Sequence, residues 1–261
     1  MKIISWNVNS LRNVVKKQYF MKFMKEHSPD ILGLQETKLQ EDQIPQEIHN
    51  LSESYNIFFD HAEKRGYSGT SIFSTIEPIE VTNKIGNPEF ETEGRITCAE
   101  YDKFFFINMY FPYGRDKDNR LDFKLRFYDQ TLIFMNKLRE ETGKHIILAG
   151  DINTAHYDID ITSPRVNEKY SGFLPIEREW LDKLVATGYV DTFREFNKEP
   201  YQYSWWSFRN DSRNRNAGWR IDYVFVNEEL LPYVKDAFIL QNVYGSDHCP
   251  VGIELDIDKL K

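Results

Sequence analysis

The chain has 261 residues, of which 41% are hydrophobic and 15% aromatic, a composition that supports a packed core and excludes a disordered chain. Lysine and arginine number 33 against 41 aspartates and glutamates, a formal net charge of −8, which argues against a polyanion binder held by overall charge. Two widely separated cysteines, Cys98 and Cys249, exclude a disulfide scaffold and a zinc ribbon and fit a reducing compartment.

At the start of the chain, Asn7, Asn9, Ser10 and Arg12 interrupt any signal-peptide core. No apolar run approaches the roughly 18 residues that a membrane helix needs, so a cytoplasmic or organellar protein without a membrane partner is expected. Strand-like apolar runs follow at residues 2–8, 30–35, 56–60, 70–74, 95–100, 104–111, 145–149, 221–226, 237–241 and 250–257. Helical spacing appears over 14–25 (Val15, Tyr19, Phe20, Phe23), 121–141 (Leu125, Tyr128, Leu132, Met135) and 176–187 (Ile176, Trp180, Leu181, Leu184). Residues 31–34 and 146–149 are apolar at successive positions and must be covered on both faces. About ten strands with few helices require sheet to pack on sheet. The expected fold is α/β (α+β), a sandwich of two sheets with helices outside. No linker or repeat divides the chain, so a single domain spanning 1–261 is expected.

The strand ends carry the chemistry. Ser5-Trp6-Asn7 with Asn9, Leu34-Gln35-Glu36-Thr37 and Gly150-Asp151-Ile152-Asn153 end three runs. Arg220-Ile221-Asp222-Tyr223 opens a fourth, and Ser246-Asp247-His248 precedes a fifth. Any one of these is more often a turn or a helix cap than a catalytic group. Five together, on termini where sheet enzymes mount their sites, point to an active site. The set is oxygen-rich, which suits a hard divalent ion, Mg²⁺ or Mn²⁺. A single histidine beside aspartates suits proton handling or charge stabilisation better than zinc binding. Of the other histidines only His156 lies close in sequence, three residues past Asn153. No glycine-rich nucleotide-binding fingerprint is present.

From Trp205 to Arg220, four arginines (Arg209, Arg213, Arg215, Arg220) stand against Asp211 alone, interleaved with Trp205, Trp206, Phe208 and Trp219. Basic residues for phosphates and aromatics for a sugar or base form a nucleic-acid footprint, set against the plainer reading of a solvated arginine loop with core tryptophans.

At these residues the sequence resembles the exonuclease III family of abasic-site DNA endonucleases, within the endonuclease/exonuclease/phosphatase superfamily. The motifs run through the whole chain in family order. Besides those quoted above they include Gly66-Tyr67-Ser68-Gly69-Thr70, Tyr110-Phe111-Pro112, Gly218-Trp219-Arg220-Ile221-Asp222-Tyr223 and Gly245-Ser246-Asp247-His248-Cys249-Pro250. The resemblance implies a four-layer αββα sandwich of the DNase I-like type, with two mixed sheets flanked by helices. It implies Mg²⁺-dependent incision of duplex DNA 5′ to abasic sites, with Mn²⁺ as a substitute cation, together with 3′→5′ exonuclease action and trimming of damaged 3′ ends, by a monomer.

By the same resemblance, Glu36 is the principal metal ligand, with Asn7 and Asp247 near the ion and Asp151 and Asn153 completing the candidate set. Asp151 resembles the residue that activates the attacking water, and Asn153 its orienting neighbour. Asp222 and His248 resemble the Asp–His pair beside the scissile phosphate. Tyr110 resembles the tyrosine that contacts that phosphate or assists more directly. One-metal and two-metal mechanisms both stay open. Trp205 and Trp219 correspond to walls of the pocket for an extruded deoxyribose, and Arg209 to a wedging side chain. Arg213, Arg215 and Arg115 are expected to contact DNA. Ser10 stands where many members have glycine. The rivals are a lipid-directed phosphoesterase, which the aromatic–arginine loop disfavours, and an inactive binding module, which would lack the acidic set.

Overall fold

The computed structural model describes residues 1–114 and 119–260. The first four strands among them are β1 (Lys2–Asn7), β2 (Ile31–Gln35), β3 (Asn56–Asp60) and β4 (Thr70–Ser74). Next come β5 (Glu80–Thr82), β6 (Ile96–Glu100), β7 (Phe104–Tyr110) and β8 (His145–Asp151). The last are β9 (Tyr189–Asp191), β10 (Asp222–Asn227), β11 (Val234–Ile239) and β12 (Val251–Leu255). The helices are α1 (Leu11–Lys16), α2 (Tyr19–His27), α3 (Gln46–Asn50), α4 (Arg120–Thr142), α5 (Pro164–Asn167), α6 (Pro175–Ala186) and α7 (Thr192–Phe196).

One sheet runs β11-β12-β1-β2-β4-β3 and the other β5-β6-β7-β8-β10-β9. In each sheet one inner pair is parallel, β1 with β2 and β7 with β8, and the other neighbours are antiparallel. A parallel pair needs a crossover. The segment α1–α2 supplies it outside the first sheet and α4 outside the second, where α6 packs beside it.

Three clusters fill the spaces between layers. Val14, Phe20 and Phe23 pack on Ile4, Trp6 and Leu32. Ile3, Ile31 and Ile72 face Phe106, Ile147 and Val224 between the sheets. Phe127 and Leu132 of α4, with Trp180 and Leu184 of α6, cover Ile107 and Leu148. The layers are therefore helix, sheet, sheet, helix. Both sheets bury both faces, as the unbroken apolar runs require.

The interior changes character toward one end. There the Gln35 amide donates to Ser5 Oγ at 2.9 Å and to Asn108 Oδ1, and the Asn108 amide donates to the carbonyls of Leu34 and Ser71, both at 3.0 Å. Gly33 permits this approach: a Cβ there would lie 2.6 Å from Asn108 Oδ1. The polar end is where the parallel pairs finish. Asn7 lies beside Gln35, Tyr110 beside Asp151, and Asp151 opposite Asp222.

The ten expected strands are all present, with β5 and β9 in addition; each is three residues long, too short for an alternating pattern. The helix expected over 14–25 is two helices, because Gln18 adopts φ 63 between them. Among the described residues, no helix is long and apolar enough to cross a membrane.

Candidate active site

The ends of β1, β2, β7, β8 and β10 and the loops at 171–172, 205–219 and 247–248 converge on a cleft of about 440 Å³. It is lined by Glu36, Tyr110, Asp151, Asn153, Trp205, Trp219, Asp247 and His248, all expected site residues, together with Asn9, Tyr113, Ser171, Gly172 and Ile221. The other two expected groups lie directly beneath. Asn7, without solvent exposure, donates from Nδ2 to Glu36 Oε1 at 3.0 Å and to Asp151 Oδ2 at 2.9 Å. Asp222 Oδ2 lies 2.9 Å from His248 Nδ1.

Several side chains reach the cleft because the chain turns left-handed just past a strand. Asn9 (φ 47), Glu36 (φ 53), Lys38 (φ 52) and Asn153 (φ 56) all occupy that region, which is uncommon for residues other than glycine and collects at functional sites. Backbone bonds hold the turns: Asn9 N–H donates to Asn7 Oδ1 at 3.0 Å and Asn153 N–H to Asp151 Oδ1 at 2.8 Å.

Two linked halves result. On one side, the Lys38 ammonium lies 2.6 Å from Glu36 Oε2 and also donates to Asn9 Oδ1. Asn9 Nδ2 donates to Asp247 Oδ1 at 2.9 Å, and Trp205 Nε1 donates to Asp247 Oδ2 at 3.1 Å. On the other side, Ser204 Oγ donates to Asp222 Oδ2 at 2.6 Å, fixing the carboxylate that holds His248. His248 Nε2 stands 3.8 Å from Asp151 Oδ2, where the halves meet.

Burial raises the Asp151 carboxyl above its ordinary range, with Asp222 and Glu36 adding to the shift and His248 opposing it. Burial alone would depress His248, but Asp222 and Asp151 outweigh it and hold the ring protonated well above the usual value. Burial and the neighbouring Glu36 push the Tyr110 phenol far upward, so it remains a hydrogen-bond donor. The Arg95 guanidinium lies 4.8 Å from the Tyr110 ring centroid and donates to the Tyr110 carbonyl at 3.0 Å.

Glu36, Asp151 and His248 each offer a ligand atom within 4.8 Å of one another, a group that could hold a metal ion. The carboxylate oxygens, with Asp247 and the Asn7 amide alongside, fit a hard cation. Lys38 supplies positive charge to Glu36 in this structure.

The aromatic–arginine segment divides. Trp205 and Trp219 meet edge to face, with ring centroids 5.9 Å apart and planes at 86°, and form one wall of the cleft. Arg209 and Arg215 are exposed, beside Phe208, which is 75% exposed. Arg213, expected to contact DNA, is engaged by the protein itself. Its guanidinium donates to the carbonyls of Ser246, Gln241 and Val243 at 3.1, 2.8 and 2.6 Å, and lies over the rings of Trp206 and Tyr244. Arg220, counted above in the positive excess, is fully buried and paired with Asp160 and Asp191. The solvent-facing charge of the loop is thus smaller than its sequence indicates. Arg115 lies outside the described residues.

Further exposed cations lie elsewhere. Arg12, Lys16 and Lys17 are exposed on and just after α1, which begins directly after Asn9 and Ser10. Their sequence signal is three cations within six residues next to the Asn7–Asn9 motif. Ser171 and Gly172 carry no sequence signal, since they belong to no motif or strand end. His156 is buried, its Nε2 2.9 Å from Asp182 Oδ1, and lies outside the cleft.

Three carboxylates, a protonated histidine and a half-buried phenol on one oxygen-rich cleft define a hydrolase equipped for phosphate esters. Residues 4–248 match the Endonuclease/Exonuclease/phosphatase family. The chain is 41% identical to an exodeoxyribonuclease of Bacillus subtilis over 98% of this chain and all of that one. It is 38% identical to the DNA repair nuclease APEX1 of Danio rerio over 98% of this chain and 83% of that one. Among solved structures, the 3′-5′ exonuclease NExo of Neisseria meningitidis superposes with a TM-score of 0.88 at 27% identity, covering 98% of this chain and 100% of the other. The AP endonuclease LMAP of Leishmania major gives a TM-score of 0.84 at 31% identity, covering 97% and 86%. The chain belongs to the exonuclease III group of abasic-site DNA endonucleases within the endonuclease/exonuclease/phosphatase family. It is a DNA-repair nuclease.

Proposed function

We propose that this chain incises duplex DNA on the 5′ side of abasic sites with Mg²⁺ as its cation, Mn²⁺ being able to replace it, and trims damaged 3′ ends with the same centre. The observation that carries the reading is a single cleft joining a hydrolytic set, Asp151 with His248–Asp222, to a pocket walled by Trp205 and Trp219. An abasic nucleotide has no base to unpair and so is cheaper to extrude than a normal one. A pocket that admits only a bare sugar turns that difference into lesion choice.

Glu36, Asn7 and Asp247 would hold the cation, with Asp151 and Asn153 within the candidate set. Bound there, a divalent ion would supply Lewis-acid polarisation of the phosphoryl oxygen and offset the charge that develops on it. Asp151, raised above the ordinary carboxyl range, accepts the proton of the attacking water. The water oxygen adds to phosphorus as the P–O3′ ester bond breaks, and the departing 3′ oxygen takes up a proton from solvent to leave as a hydroxyl. Asn153 orients that water, while His248, held by Asp222, and the Tyr110 phenol donate to the phosphate oxygens. Arg209 enters the gap left in the base stack, and Arg215 with Arg12, Lys16 and Lys17 contacts phosphates on either side. We read the chain as one domain acting as a monomer, because one chain completes the cleft. A cytoplasmic setting accords with two free, buried cysteines.

The test is incision of a duplex carrying one tetrahydrofuran abasic analogue, with Mg²⁺ or with EDTA, by wild type and Glu36→Gln. Expected are a single cut 5′ to the analogue, none in EDTA, and a rate for Glu36→Gln at least about 100-fold lower with a raised Mg²⁺ requirement. A Mg²⁺ titration of Glu36→Gln superimposable on wild type refutes the metal assignment. Equal cutting of lesion-free duplex refutes the lesion choice.

A further inference from the structure

Two ionisable side chains that touch no side chain of the proposed hydrolytic set lie behind the cleft without solvent exposure: Lys124 on α4 and Glu177 on α6, with Nζ and Oε1 2.7 Å apart. Replacing a buried pair of this kind with apolar groups is often neutral or stabilising, so stability does not by itself account for it. What the pair holds is more telling. Lys124 Nζ also donates to the Asn153 carbonyl and to Thr154 Oγ1, both at 2.8 Å. Glu177 accepts from Ser171 Oγ at 2.7 Å and from the N–H groups of Gly172 and Leu174 at 2.6 and 3.1 Å. An ammonium has three donors and a carboxylate about four acceptor sites. Lys124 spends its three on Asn153, Thr154 and Glu177. Glu177 fills its own with Lys124, Ser171, Gly172 and Leu174. Neither has capacity left over.

The segments so tied are walls of the cleft. Asn153, Ser171 and Gly172 line it, and Ser171 Oγ accepts from the N–H of Gly114, the neighbour of lining residue Tyr113, at 3.0 Å. Gly172 adopts φ +96, and a Cβ there would lie 2.7 Å from a Trp219 ring carbon. The Trp219 ring therefore rests on bare backbone whose position Glu177 sets.

We infer that Lys124 and Glu177 are positioning residues that set the depth and width of the lesion pocket, by holding Asn153 against the hydrolytic groups and Gly172 against Trp219. This rests on the abasic-site reading above. An apolar pair could fill the space but could not fix three chain segments at once.

The experiment compares wild type with Lys124→Met, Glu177→Gln and the double variant, all well below their melting temperatures and checked for folding by near-ultraviolet circular dichroism. Single-turnover incision of the tetrahydrofuran duplex at saturating Mg²⁺ is expected to fall about 10- to 100-fold in either single variant, the scale of a misplaced catalytic geometry. The affinity ratio of lesion to intact duplex should fall several-fold, and the Mg²⁺ half-saturation should shift far less than in Glu36→Gln, because the pair touches none of Glu36, Asn7 and Asp247. The double variant should cost no more than the worse single one, as members of a unit do. A purely structural role would lower the melting temperature and leave rate and ratio at wild-type values; that outcome overturns the inference. Should Lys124→Met fail to fold, Glu177→Gln decides by the same criteria. Failure of wild type to cut at the analogue overturns the reading beneath, and is recognised without any variant.

Discussion

His248 Nδ1 lies 2.9 Å from Asp222 Oδ2, an oxygen that also accepts from Ser204 Oγ at 2.6 Å. The imidazole is thus held from below, leaving Nε2 to face the cleft and Asp151. Removing the group that carries positive charge beside a developing phosphorane should cost about 10²–10³-fold in rate for His248→Asn. If Asp222 acts only through His248, Asp222→Asn/His248→Asn should cost far less than the product of the two single effects. Single-turnover rates of the four proteins check this. Strictly multiplicative losses would mean that the two residues act separately.

Arg213 calls for a different experiment from its neighbour Arg215. Its three carbonyl bonds brace residues 241–246 immediately before Asp247. Bonds to a charged donor are worth more than neutral ones, so Arg213→Ala should destabilise the fold by roughly 2–4 kcal/mol. It should also slow incision through Asp247 while leaving the salt slope of DNA binding as in wild type. Arg215→Ala should do the reverse, lowering the slope by about one unit with little change in melting temperature. Binding titrations at several salt concentrations, alongside thermal melts, separate the two. A reduced slope for Arg213→Ala would identify it as a phosphate contact.

How Arg213 and Arg220 read in the sequence shows where such reading stops. Their charge is visible, but nothing in residues 205–220 indicates that backbone carbonyls will gather around one and two aspartates around the other. Residue type together with strand position was enough for Asn7, Glu36, Asp151 and His248, because apolar runs end abruptly in groups whose chemistry is specific. A sandwich of two sheets with helices outside was legible for a related reason: β2 and β8 carry apolar residues on both faces, which only a covered sheet accommodates; the four-layer order came from the family resemblance. What stayed hidden acts through backbone or through distant partners. Gly172 contributes bare chain against Trp219, and Ser171 a hydroxyl bonded to Glu177 and to the N–H of Gly114. Lys124 lies on a helical face that sequence spacing alone would turn to solvent or core with no hint of Glu177.

Asp60, at the end of β3 and 5% exposed, has its carboxyl raised by burial to about 6, against bonds from Asn83 and Ile96 that lower it. The folded value exceeds the unfolded one, so between about pH 4 and 6 the folded state holds more protons and stability falls as pH rises. The stabilisation is complete below the unfolded value and lost as pH climbs through the folded one, a difference of roughly 2–3 kcal/mol. Asp60→Asn cannot titrate and should lack this component. Urea unfolding of both proteins across that window should give curves that diverge. Parallel curves would mean that Asp60 titrates normally.

Ser10 occupies φ 128, ψ 105 between the Asn7–Asn9 motif and α1, a region that favours glycine and strains other residues by roughly 1–3 kcal/mol. Its side chain returns little: Ser10 Oγ accepts the N–H of Asn13 at a long 3.4 Å, and exchanging such a cap for glycine costs only a few tenths of a kcal/mol. The strain is the larger quantity. Ser10→Gly should therefore stabilise the protein by about 1 kcal/mol, a rise in melting temperature of about 2–4 °C for a chain of this size. Relief of strain at the turn also frees Asn9, whose amide links Lys38 to Asp247. Incision should then stay level or fall slightly rather than rise. Thermal melts and single-turnover rates of the two proteins suffice, and a lower melting temperature in Ser10→Gly would show that the cap outweighs the strain.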